Sequence, residues 1–251
     1  MKRKIAATSF VMLVISLFIW VDQVSAVSVN EMTNTLNKLS GNDGSSDVIK
    51  LFVLMTVLTL VPTLLILTTS FTRIIMVLSF VRSSLGTQQT PPNQVLLGIA
   101  LFLTFFIMRP VYNDVNANAI QPLMKDEITQ VQAIKEAEKP IKQFMLKQTR
   151  EKDLELFVKN SGTKAPKNPE SLPLVVVIPA FLISELRTAF SIGFLIFLPF
   201  LVIDMAVSSI LMSMGMFMLS PVMISLPFKL LLFVLVDGWY LVVESLVRGF
   251  Q

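Results

Sequence analysis

Charged residues interrupt the most apolar part of this chain. Between residues 172 and 250, Glu185, Arg187, Asp204, Lys229 and Asp237 sit inside runs of Leu, Ile, Val and Phe, and Pro179, Pro199, Pro221 and Pro227 break the same runs. A charge facing lipid near the bilayer centre costs about 2.5–3.5 kcal/mol on insertion scales. Helices standing singly in lipid would bear that cost repeatedly. The region is therefore expected to be buried against other protein or to line a polar conduit.

The chain has 251 residues and is 53% hydrophobic, which is too apolar for an ordinary soluble domain and fits a membrane protein with several crossings. It contains no cysteine and no histidine. That removes disulfides, thiol nucleophiles and Cys-ligated metals, together with the usual general base and the commonest metal ligand. No catalytic residue, metal site or cofactor is expected, and the chain is read as non-enzymatic. The net charge is +4, without a long basic run, so nucleic-acid binding is unsupported.

At the N-terminus, Lys2, Arg3 and Lys4 precede an apolar core over 5–20, and Val24-Ser25-Ala26 supplies small residues for cleavage after Ala26. This reads as a signal peptide over 1–26. The alternative is a first transmembrane helix that stays, although the run is short for a span. Cleavage would put Val27 outside the cytoplasmic membrane.

Residues 27–50 are polar and read as an exposed segment. Residues 51–110 read as a first apolar hairpin region. Within it, a run over 49–67 carries Pro62, and a second run over 74–81 is flanked by Arg73 and Arg82. The two runs are one broken helix or a helical hairpin. Asn93 is placed to cap a helix that runs to Met108 and is ended by Arg109-Pro110. Residues 111–170 differ: both charge signs are frequent, and apolar residues recur at helical spacing at Ile128, Val131, Ile134, Ile141, Phe144, Met145, Leu154, Phe157 and Val158. Pro140 separates two of these helices. The segment is expected to be a small soluble helical domain on the outer side of the membrane. Phe144 and Phe157 pack its own core or serve its assembly against a second copy. Residues 171–251 form a second apolar hairpin region.

A continuous helix over 172–204 would reach about 50 Å, beyond the hydrocarbon thickness, and Pro179 and Pro199 predict breaks. Glu185 and Arg187 lie about 200° apart on a helix, so neither neutralises the other and each needs a partner elsewhere. A solvated pair at an interfacial helix end is the alternative. Lys229 is the expected partner of Glu185, within one chain or between neighbouring subunits. Arg73, Arg187, Asp204 and Asp237 are expected to be buried charges. Met212, Met214, Met216 and Met218 alternate with Gly215 among them, so on a helix they cannot share one face. Either the helix is buried all round, or Gly215 opens a loop that exposes Met216, Phe217 and Met218 together.

Several motifs then fall together: Pro179-Ala180-Phe181, Ser184-Glu185-Leu186, Ile192-Gly193-Phe194, Ile203-Asp204, Leu211-Met212-Ser213-Met214-Gly215-Met216, Ser225-Leu226-Pro227-Phe228-Lys229 and Asp237-Gly238-Trp239, with Thr72-Arg73-Ile74 and the Pro-Pro loop before Asn93. In combination they closely resemble the FliP/SctR family of type III secretion export-gate proteins. The resemblance implies an all-α, membrane-associated fold of broken helical hairpins with an inserted helical domain, assembling into a ring. By the same resemblance the ring is a pentamer joined by FliQ and FliR, with FlhB and FlhA as neighbours, in the bacterial inner membrane at the flagellar basal body, with the inserted domain periplasmic. It would conduct unfolded flagellar proteins. The constricting loop of the family maps onto Met214, Gly215, Met216, Phe217 and Met218. Some members carry three consecutive methionines where this chain has Met216-Phe217-Met218.

A proton-coupled transporter using Glu185, Asp204 and Asp237 as a relay is the competing reading, since intramembrane carboxylates raise it legitimately. An intramembrane hydrolase built on Ser184 and Glu185 has too thin a site.

Overall fold

The structure, a computed structural model, describes residues 51–250 apart from 53–54, 57–58, 61–62, 65, 88 and 162–167. The signal peptide, its cleavage at Ala26 and the segment 27–50 lie outside the described residues. The chain divides into two units, 1–61 and 62–251. In the first, the described residues from Leu51 on are helical, and the Thr56 hydroxyl donates to the Phe52 carbonyl at 2.8 Å. In the second, every described element is helical.

Helix α1 (Phe71–Ser84) is the centre of the second unit. Ile74, Val77, Leu78 and Val81 recur at helical spacing and are all fully buried, the pattern of a helix with one wide apolar face turned to a core. Helix α2 (Asn93–Val115) follows a loop that turns at Gly86, whose φ is +78°. Asn93 is not the cap but the first helical residue, after Pro92. Its side-chain oxygen instead accepts a hydrogen bond from Arg82 Nη1.

Arg109-Pro110 does not end α2. The helix runs through Pro110 into a π turn at Asn116–Ile120 and α3 (Gln121–Met124), making one apolar rod over Asn93–Met124. The expected boundary between 110 and 111 therefore falls inside a helix. Helix α4 (Gln130–Gln148) starts at a capping box between Thr129 and Gln132 and continues through Pro140. Helix α5 (Glu151–Asn160) and a 3-10 turn (Pro169–Ser171) lead to α6 (Leu174–Ser213), which runs 40 residues without a break at Pro179 or Pro199. Each proline removes one hydrogen bond from its ladder, but the helix continues through both, and around Pro179 it is well packed. Val177, Ala180 and Phe181, beside Pro179, are fully buried. Helices α7 (Pro221–Leu235) and α8 (Gly238–Arg248) complete the chain.

The charged segment does not own a separate core. Met145 and Val158 are buried with Leu172, Val176, Val177 and Phe181 of the α6 region, and Phe144 and Phe157 pack partly buried against the same cluster. Phe144 sits 6.1 Å from the Phe181 ring and 6.1 Å from the Phe250 ring. Both phenylalanines are thus engaged by their own chain. Val131 and Ile134, expected on the buried stripe, are exposed, because only the second half of α4 reaches this cluster.

Against α1, α6 comes close enough that a Cβ at Gly193 would lie 2.5 Å from the Phe80 ring. The rod Asn93–Met124 and α6 are long and apolar enough to cross a membrane. Helices α7 and α8, bent by 61° at their junction, would together make a third span.

Candidate functional site

Two features stand out on this scaffold: an apolar loop at one end of α6, and buried ion pairs along its length. The loop begins where Gly215 takes a left-handed φ of +74°. The Gly215 amide donates to the Met212 carbonyl at 3.1 Å, and the Met216 amide reaches back to Leu211 at 3.0 Å. These are the paired bonds of a Schellman stop, which glycine makes without steric penalty. The helix is therefore not buried all round; a loop opens at Gly215. Met214, Met216 and Leu219 are exposed, Phe217 is 78% exposed and Met218 wholly so. A contiguous apolar patch of this kind marks a place where the chain meets another surface or a passing one.

Glu185 is fully buried, and both its oxygens are held by Arg73: Nε donates to Oε2 at 2.8 Å and Nη2 to Oε1 at 2.5 Å. Arg73 Nη2 also donates to Gln148 Oε1 and Nη1 to the Gly249 carbonyl, each at 3.0 Å. The Phe250 ring lies 3.8 Å from the guanidinium carbon. One arginine thus ties α1, α4, α6 and the residues after α8 together. A planar fork suits this task and a lysine ammonium does not.

Within the chain, the expected Glu185–Lys229 pair is not made. Lys229 Nζ donates to Asp204 Oδ2 at 2.6 Å, and the Ser225 hydroxyl donates to Asp204 Oδ1 at 2.5 Å. From Glu185 to Asp204, α6 climbs about 28 Å, so Lys229 beside one carboxylate is far from the other. Both candidate partners are already satisfied within the chain. Arg73 is buried as expected and Asp204 is half-buried. Arg187 and Asp237 are exposed in the single chain. On α6 the residue two beyond a buried Glu185 points the opposite way. Asp237 stands at the corner between α7 and α8 with φ 50°.

Ser184 is tied to α5 and the residue before it. Its hydroxyl donates to Asp153 Oδ2 at 2.6 Å and accepts from the Arg150 amide at 3.1 Å, and Arg150 Nη2 closes on the same Asp153 oxygen at 2.6 Å. This joins the start of α5 to α6. Residue spacing did not point to Asp153, Gln148 or Phe250 as structural partners. Asp153, in the first turn of a helix after Arg150, carried the nearest signal. Among the described residues, no three His, Cys, Asp or Glu side chains are grouped to hold a metal ion.

A protein-family model described as FliP family matches residues 54–246. The chain is similar to the flagellar biosynthetic protein FliP of Bacillus subtilis (strain 168), 57% identical over 222 residues that cover 88% of this chain and 100% of that protein. It is 51% identical to the protein of the same description from Aquifex aeolicus (strain VF5) over 215 residues, covering 84% and 89%. It is 50% identical to that of Caulobacter vibrioides over 226 residues, covering 90% and 85%.

Proposed function

The chain belongs to the FliP family, and from that premise we propose that it is a core subunit of the flagellar type III protein export gate. In this reading several copies form a ring in the inner membrane and conduct unfolded flagellar proteins, with FliQ, FliR, FlhB and FlhA as neighbours. Residues 214–218 form the constriction, and the segment around α4 and α5 lies on the periplasmic side.

The observation that carries the reading is the loop itself. Met216, Phe217 and Met218 are displayed at the tip of a helical hairpin by a glycine stop. Methionine is unbranched and polarizable, so such side chains can close together and yield to varied cargo. Large exposed apolar residues on α2 (Phe102, Phe105, Phe106) and α6 (Phe190, Phe194) support burial against lipid or neighbouring subunits. The proton-relay alternative loses support from geometry. Glu185 and Asp204 are each closed by a cation of the same chain and stand about 28 Å apart along α6.

Native mass spectrometry of the complex purified with its neighbours tests the reading. The expected result is a heteromer holding several copies of this chain. A monomer that supports proton-linked uptake in liposomes would replace the gate by the transporter.

A further inference from the structure

Above Phe200 the last two long helices keep few contacts with the core: Ile203 and Leu232 pack partly against it, and Val222 and Lys229 lie beside the turn at Gly86. On α6, buried side chains run from Val176 to Phe200 and then stop, Leu211 excepted. On α7 only Ser225, Lys229 and Phe233 are buried, a single stripe facing α6. Residues 201–236 thus form a two-helix arm with the Met216-Phe217-Met218 loop at its tip. Lys229 and Ser225 clip its two helices together on Asp204.

Each side of the arm carries a weak point in its backbone where it meets the core. In α6 it is Pro199, which removes one N–H from the ladder although the helix runs on through it. Between α7 and α8 it is Asp237. This residue turns the chain by 61° through a left-handed φ of 50°, a conformation uncommon for any residue with a side chain. Its side chain makes no capping hydrogen bond to α8. Asp237 N closes the turn on Val234 O, and the ladder of α8 begins with Leu241 N donating to Asp237 O, each at 3.1 Å. The bend spans Val236, at φ −90° and ψ 6°, and Asp237. The next residue is glycine for a steric reason: a Cβ at Gly238 would lie 2.3 Å from the Phe233 ring.

The two joints stand at the same height. The Phe233 ring packs on Phe200 at 6.4 Å and edge-on to Trp239 at 5.3 Å, so one cluster of rings touches α6, α7 and α8 beside both joints. Beyond it α8 is anchored, since Arg73 holds the Gly249 carbonyl at 3.0 Å and stacks on Phe250 at 3.8 Å.

We propose that residues 201–236 are a hinged arm that swings as one body on Pro199 and Asp237, about the Phe200–Phe233–Trp239 contact. Opening is then a rotation of the arm against the anchored α8, and the loop keeps its fold. The link to opening rests on the reading of the loop as the constriction; the swing itself rests on the joints.

The absence of cysteine allows spin labels at Met218→Cys and Leu241→Cys, one at the tip and one on the anchored helix, in the complex purified with its neighbours and with labelled copies diluted among unlabelled ones, so that each distance is within one chain. Pulsed EPR should give more than one tip-to-α8 distance. Pro199→Ala, which restores the missing N–H, should remove the minor population, and Asp237→Gly, which frees the joint, should enlarge it. A second pair within the arm, Met218→Cys with Ser208→Cys, should keep one narrow distance throughout. A single tip-to-α8 distance indifferent to both substitutions overturns the hinge, and a within-arm distance that follows them overturns the rigid swing. Ion leakage on loop truncation without any arm motion removes the hinge and leaves the constriction standing. Arm motion without leakage does the reverse.

Discussion

Arg73 grips both carboxylate oxygens of Glu185, at 2.8 and 2.5 Å, with neither side chain open to solvent. Arg73→Leu or Glu185→Leu would each leave a buried charge without its partner, a loss of about 3–5 kcal/mol. Replacing both by leucine removes the pair and its desolvation together, so the double variant should melt higher than either single one. Arg73→Lys keeps the charge but not the fork, and should fall between wild type and Arg73→Leu. Thermal unfolding of the purified complex in detergent measures all four. A double variant no better than the sum of its parts would mean the two side chains are not coupled.

The second pair gives a test of specificity. Asp204→Lys and Lys229→Asp should each lower the amount of assembled complex seen on native gels, since both remove the clip between α6 and α7. Combining them should recover part of it. The combination of Glu185→Lys with Lys229→Glu should recover nothing, because it breaks two separate pairs. Recovery by that exchange would point to a contact between Glu185 and Lys229 of different chains.

How far these contacts were legible depends on what residue spacing encodes. Alternating methionines around a glycine leave two readings, a helix buried all round or a loop at Gly215, because no helix face accommodates period two, and the loop is present. The angle between Glu185 and Arg187 announced that neither serves the other. The same angle also forbids burying both against α1, which is why Arg187 is exposed. The identity of the partner was not legible. It depends on which helices α6 lies against, and Arg73 comes from α1, distant in the chain. Prolines misled for a related reason. Pro110, Pro140, Pro179 and Pro199 read as stops because each lacks a donor, yet one lost bond in a long, well-packed helix is outweighed by the burial of its neighbours.

Gly193 predicts a steric test of the central packing. A methyl group there would press on Cγ of Phe80 at 2.6 Å and its Cβ at 3.0 Å, the part of the ring least able to move. Gly193→Ala should therefore cost about 1–3 kcal/mol, the usual range for overpacking, in spite of alanine's better helix propensity. Adding Phe80→Leu should return part of the loss. Chemical denaturation of the solubilised protein reads both. A stabilised Gly193→Ala would show that α1 and α6 have room to part.

The loop predicts a change in permeability. Hydrophobic constrictions close by excluding water, so their seal depends on the bulk of the side chains that meet. In the proposed constriction, Met216, Phe217 and Met218 supply that bulk, while Gly215 supplies only the turn. Replacing the three bulky residues by alanine while keeping Gly215 leaves the Schellman bonds of Met216 and Gly215 intact, because those are made by backbone atoms. Assembly should survive, and proteoliposomes carrying the variant complex should conduct small ions that the parent complex blocks. Phe217→Met should keep the seal, since a thioether chain is flexible enough to fill the same gap. Comparing ion flux across parent, Phe217→Met and triple-alanine complexes of equal subunit content separates bulk from chemistry. Equal flux in all three would take these residues out of the constriction.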